Sequence, residues 1–206
     1  SERLARRIDE LGGLNMHVLT HKDDVGNLAA WKKRYPGLVR VMHEHDVMGL
    51  HQWPYVEMRD IETKLRAPES SWELAKGFTA VHTPGHSKGS VTYIADARVT
   101  GGEGCAFTGD HFALNGRLGR LDGFARYGWD LETQAASIAL LADLPPQQEH
   151  ESISGQVFTW VLPGHGRRSR LEGGPEERSK AIKDAAAVFA ADPYGETAPG
   201  PLFATP

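Results

Sequence analysis

One cysteine in 206 residues excludes an intrachain disulfide. That residue, Cys105, sits ahead of Ala106-Phe107 in an apolar setting that favours a packed thiol over a nucleophile. No apolar run approaches the ~20 residues that cross a bilayer, and the first residues make a charged, helix-like segment rather than a secretory leader. A cytoplasmic or organelle-matrix protein with no membrane partner is the expectation. Positive charge is not in excess either: 23 Lys and Arg against 27 Asp and Glu leave a formal charge of −4. No nucleic-acid surface is therefore expected. The densest basic run, Arg167-Arg168-Ser169-Arg170, reads as a solvated turn. Internal repeats and a second-domain boundary are also missing, so residues 1–191 read as one domain and the Pro/Gly-rich residues 192–206 as a tail.

What the chain does have is histidine, ten residues in all, set in an alternation of apolar runs and helical patterns. Leu4, Ile8 and Leu11 recur at helical spacing before Gly12-Gly13. Residues 15–20 then read as a strand, 25–35 as a helix stopped by Pro36-Gly37, and 38–42 as a second strand, the rhythm of an α/β fold. Short strands with turns are expected from Trp53 to Asp96. Residues 112–129 read as a long glycine-punctuated loop carrying Arg117, Arg120, Arg126, Tyr127 and Trp129, the kind of segment that walls a substrate pocket. Helices follow over 130–141, capped by Asp130 and stopped by Pro145-Pro146, and over 175–191, with a last strand at 158–162 between them.

Three of the strand-like runs end alike, in glycine and then a metal-ligand side chain. They are Thr83-Pro84-Gly85-His86, Thr108-Gly109-Asp110 and Leu162-Pro163-Gly164-His165. Pro and Gly force an abrupt turn, which leaves the next side chain at the sheet edge rather than in the core. Three strand ends delivering two imidazoles and a carboxylate make a metal site the first hypothesis.

In order and separation these segments resemble the later metal-binding motifs of the metallo-β-lactamase-fold hydrolases, over roughly residues 11 to 170. The resemblance implies a four-layer αβ/βα sandwich with the metal site at one edge of its two sheets. It also implies a first motif of the form H-x-H-x-D-H after a strand-end Thr. Here the corresponding stretch is Thr20-His21-Lys22-Asp23-Asp24-Val25-Gly26, two residues short, with one histidine of the first pair missing and Asp24 where the third would stand. The usual N-terminal strands of the first sheet are not apparent, and an uncovered sheet edge makes a homodimer the expectation.

Carried over residue by residue, the resemblance assigns His21, His86, Asp110 and His165 as metal ligands, with Asp23 and Asp24 as candidate catalytic carboxylates. A first metal position would hold His21, His86 and Asp110. A second would hold Asp110, His165 and one of Asp23 and Asp24. Zinc is the first expectation, with iron or manganese as alternatives for so oxygen-rich a set. The function implied is hydrolysis of a small ester, thioester or lactone-like substrate by a metal-activated water, with Asp23 or Asp24 taking the proton. Two other readings stay open. One is a mononuclear non-haem iron oxidoreductase resembling the persulfide dioxygenases; the other is a metal-poor binding member of the fold. His43-Glu44-His45-Asp46 spells H-x-H-x-D, but it follows the second strand, where the family has no ligands, so a local cap or surface role is expected. His82 is expected within a strand and His111 beside the pocket.

Overall fold

The computed structural model describes residues 2–23, 25–48, 60–144 and 158–196. After helix Glu2–Glu10 (α1), strand Met16–Val18 (β1) leads through helix Leu28–Arg34 (α2) to strand Val39–His43 (β2) and the short helix Glu44–Met48 (α3). Strand β2 lies between β1 and Thr63–Leu65 (β3), with both pairings parallel. A central parallel strand must be apolar on both faces. Accordingly, Met42 packs with Leu28 of α2 and Val47 of α3, while Val41 points the opposite way, toward Tyr93 and Ala80.

Those last two residues belong to a second, six-stranded sheet. Its strands are Ser71–Ala75 (β4), Phe78–His82 (β5), Val91–Ala95 (β6), Cys105–Gly109 (β7), Trp160–Pro163 (β10) and Ser169–Arg170 (β11), in the order β11-β10-β7-β6-β5-β4. Only β7 and β10 pair in parallel. All five residues of β6 are buried because it too is covered on both sides. Tyr93 faces the first sheet, and Ile94 faces helices Leu131–Ala142 (α5) and Pro175–Ala191 (α6) through Ile138, Leu141, Ile182 and Phe189. The layers are thus helix, sheet, sheet, helix. Truncating Phe189, which is fully buried, is expected to cost ~3–5 kcal/mol.

The two sheets are joined directly beside the strand ends that matter. Tyr93 Oη donates to Leu19 O at 2.9 Å, and Val91 N donates to Thr20 O at 2.8 Å. These bonds set the end of β1 against the start of β6.

Helix α6 spans the expected residues, with Pro175 in its first turn, where a missing N–H costs nothing. Asp130 caps α5, its carboxylate accepting from Thr133 N at 3.0 Å. The expected loop over 112–129 is a correction. Strands Phe112–Asn115 (β8) and Arg120–Gly123 (β9) form an antiparallel hairpin there, with Leu114 opposite Leu121 and Phe112 opposite Gly123. The pairing hides in the sequence because glycines interrupt the alternation. A four-residue helix, Ala97–Thr100 (α4), also precedes β7. Asp24, the run from Trp53 to residue 59, Pro145-Pro146 and tail residues 197–206 lie outside the described residues. Among the described residues no helix is long and apolar enough to cross a membrane.

Candidate metal centre

His86 stands on the turn after β5, and the turn is built to hold it still. Gly85 has φ +135°, and a Cβ there would lie 2.3 Å from Gln134 Cα on α5, so glycine alone fits. Ser137 Oγ donates to Pro84 O at 2.8 Å, and the N–H groups of Asp130 and Trp129 donate to Gly85 O and His86 O, each at 2.9 Å. On the other side Ser87 N donates to Ser90 Oγ at 2.9 Å. His86 is buried within this frame.

Asp110 follows β7 by the same logic. Gly109 has φ +55°, and a Cβ there would fall 2.5 Å from Thr20 Oγ1, so its absence lets the end of β1 close onto Asp110. Strand β10 pairs Pro163 with Gly109, and Gly164 N donates to Gly109 O at 2.8 Å, which brings His165 alongside. Its Nδ1 lies 2.7 Å from Asp110 Oδ1. The other carboxylate oxygen, Oδ2, faces His21 Nε2 at 3.5 Å and His86 Nε2 at 3.8 Å. Asp23 Oδ2 lies 3.6 Å from His86 Nε2. One ligand atom each from His21, Asp23 and His86 lie within 4.8 Å of one another. Phe124 closes one wall, stacked on His165 with ring centroids 5.5 Å apart.

Asp110 joins the two halves of this site. His21, Asp23 and His86 gather on the Oδ2 side, and His165, whose side chain is more than half exposed, stands on the Oδ1 side. Of the two carboxylates expected to join Asp110 and His165, Asp23 stands beside His86, and Asp24 lies outside the described residues. The shortened turn after His21 brings Asp23 round only that far.

Electrostatics favour charged carboxylates here. Burial would raise the Asp110 carboxyl, but the neighbouring imidazoles of His21 and His165 outweigh it and hold the group below its ordinary value. The His86 contact, with Lys22 2.7 Å away, holds Asp23 well below the usual carboxylate range against partial desolvation. His111 is fully buried and pushed down to about 3 by desolvation, so it is a neutral imidazole behind the site.

The donor set fits a divalent metal. His21 Nε2, which faces Asp110, is buried without a hydrogen-bond partner among the described residues, and His86 turns its Nε2 toward both Asp23 and Asp110. Leaving a buried polar nitrogen unpaired costs ~1–3 kcal/mol, and two imidazoles facing two ionised carboxylates are what a cation pairs.

One expectation is overturned. Asp46 of the H-x-H-x-D run is neither a cap nor a surface residue. It is buried and accepts from Ser87 Oγ at 2.6 Å, Gly89 N at 2.8 Å and Lys22 N at 3.0 Å. It ties the His86 turn to the His21 turn. The signal is the run Ser87-Lys88-Gly89-Ser90, a set of donors with no carboxylate nearby in sequence.

The described fold matches known structures. The protein TTHA1623, solved in a di-iron-bound form, is 27% identical over 82% of this chain and 79% of that one, with a TM-score of 0.53. A metallo-β-lactamase from Hirschia baltica is 16% identical over 90% and 74%, with a TM-score of 0.56. The metallo-β-lactamase FIM-1 from Pseudomonas aeruginosa, in its mono-zinc form, is 16% identical over 92% and 74%, with a TM-score of 0.58. No family model and no curated protein matches the chain.

Proposed function

This chain is a metallo-β-lactamase-fold protein, and we propose that it is a metal-dependent hydrolase of a small ester, thioester or lactone-like substrate. The observation that carries this is the meeting of His21, Asp23, His86 and Asp110, in which both imidazoles turn Nε2 toward the carboxylates and that of His21 is buried without a hydrogen-bond partner among the described residues. A divalent metal held there supplies Lewis acidity to a substrate carbonyl and lowers the pKa of a ligated water toward neutrality. Asp110, buried and ionised, orients the imidazoles on both its oxygens. Asp23 is the carboxylate on the open side, ionised and in reach of solvent, and it accepts the proton of an attacking water. Phe124 packs against both His86 and His165, with ring centroids 5.9 and 5.5 Å apart.

Two carboxylates against two imidazoles put iron(II) or manganese beside zinc as the resident ion. The di-iron form of TTHA1623 favours iron, and the mono-zinc form of FIM-1 favours zinc. The same His21-His86-Asp110 set is also a facial triad, which supports a second reading as an iron-dependent oxidoreductase.

The full chain purified without a chelating tag is expected to carry metal, shown by elemental analysis, and to hydrolyse members of an ester, thioester and lactone panel. His86→Ala and Asp110→Ala are expected to abolish both. Asp23→Asn is expected to keep the metal and lose ~10²-fold or more in rate. Full metal occupancy in the first two variants would overturn the site, and iron with oxygen uptake but no hydrolysis would hand the case to the second reading.

A further inference from the structure

A second group of histidines lies outside this centre. His43 is the last residue of β2, His45 sits in the first turn of α3, and His82 is the last residue of β5. They therefore come from both sheets. One ring nitrogen of each lies within 4.8 Å of those of the other two. The His43 and His82 rings are stacked with centroids 4.0 Å apart, and His45 approaches His43 at 4.9 Å. His43 is buried, His82 half-buried and His45 exposed.

The hydrogen bonds leave lone pairs in this group. His82 Nε2 lies 3.0 Å from Lys88 O, where it donates, so its Nδ1 is the acceptor nitrogen. This imidazole-to-carbonyl bond is the arrangement that fixes the tautomer of a metal-ligating histidine. His43 Nδ1 accepts from His45 N at a long 3.3 Å, a weak bond that leaves that ring with an unprotonated nitrogen. Among the described residues none of the three rings forms an ion pair. Trp72, 5.8 Å from His43, supplies an apolar wall.

We propose that His43, His45 and His82 form a second, separate cation site, selective for a borderline ion such as zinc, copper(II) or nickel(II). Three imidazoles with no carboxylate select against magnesium, calcium and manganese, the reverse of the oxygen-rich centre around Asp110. Three nitrogens at 2.0–2.1 Å from tetrahedral zinc stand ~3.3 Å apart, so the rings must close by roughly an ångström or two. His45, exposed on its turn, is the ring free to move. Its exposure also leaves the fourth position open to solvent. The ion staples the end of β2 to the end of β5, across the two sheets, so its first effect is on stability. This site does not depend on the proposed hydrolytic reading.

The test removes the other centre first. Metal-free full-length protein carrying His86→Ala, and separately Asp110→Asn, is titrated with zinc by calorimetry. Each background is expected to retain one zinc per chain. Its melting temperature is expected to rise by roughly 5–10 °C at hundred-fold excess over the dissociation constant. Adding His45→Ala, a change at an exposed residue, is expected to remove both the stoichiometric zinc and the shift. Adding His82→Phe, which preserves the stack on His43, is expected to do the same. Copper(II) in the same backgrounds is expected to show three-nitrogen hyperfine structure. The proposal is overturned if neither background binds zinc, if the His45→Ala variants bind it equally well, or if manganese binds as tightly as zinc.

Discussion

The His86 turn and the His21 turn deliver their imidazoles to the same carboxylate, yet they are held by very different means. Residues 83–90 are locked from three sides: by the α5 backbone at Gly85, by Ser137 at Pro84, and by Asp46 at Ser87 and Gly89. Residues 20–23 are tied more lightly: Val91 N donates to Thr20 O at 2.8 Å, Thr20 Oγ1 lies 3.0 Å from His21 Nδ1, and Lys22 N donates to Asp46 at 3.0 Å. Asp23 at their end is exposed to solvent. The rigid half defines where a metal sits. The looser half, where the chain departs from H-x-H-x-D-H, sets which ion is held and which carboxylate meets the substrate.

The largest expected effect breaks the rigid half. Gly85→Val places a side chain inside the α5 backbone at a φ that β-branched residues do not adopt, and is expected to cost more than ~4 kcal/mol or abolish folding. By contrast, Lys22→Ala in the looser half removes an exposed ion pair and is expected to cost less than ~1 kcal/mol. Urea denaturation of the two variants measures the contrast, and equal losses would refute it.

Asp46 is where the halves meet, so it sharpens the comparison. Asp46→Ala strands Lys22 N, Gly89 N and Ser87 Oγ without their acceptor, for an expected loss of ~3 kcal/mol. The His21 turn, having fewer other ties, is the one expected to move. Metal affinity should accordingly fall by roughly 10- to 100-fold. A variant destabilised but unchanged in metal affinity would show that Asp46 supports the fold alone.

The difference between the halves also explains what was legible in the sequence. Pro84-Gly85-His86, Gly109-Asp110 and Gly164-His165 were readable because tight turns at strand ends demand glycine locally. Helix α6 was readable because Pro175 marks its start. Asp46 was not, since its partners lie 24 to 43 residues away and no local pattern encodes them. Hairpin β8–β9 was missed for a related reason: Phe112 pairs with a glycine, so the alternation that signals a strand is absent on one side. The position of Asp23 beside His86 depends on the path of a shortened turn, which spacing alone does not specify.

The smallest effect concerns Asp122 on β9, which compares instructively with Asp110. Both carboxylates are buried, but two imidazoles hold Asp110 low, whereas burial pushes Asp122 up to about 6 despite Arg120 at 3.5 Å. The signs on stability are therefore opposite. Asp110 contributes stability above its unfolded pKa, near 3.8, and that contribution is lost as pH falls through its lower folded value. For Asp122 the folded state binds the proton more tightly, so stability falls as pH rises from about 4 through about 6. Asp122→Asn keeps the shape, removes the buried charge and is expected to add ~1–2 kcal/mol at pH 8 while adding little at pH 4. Melting temperatures of the variant and its parent between those pH values measure the difference. A gap that does not widen with pH would mean that Arg120 neutralises Asp122 fully in the folded protein.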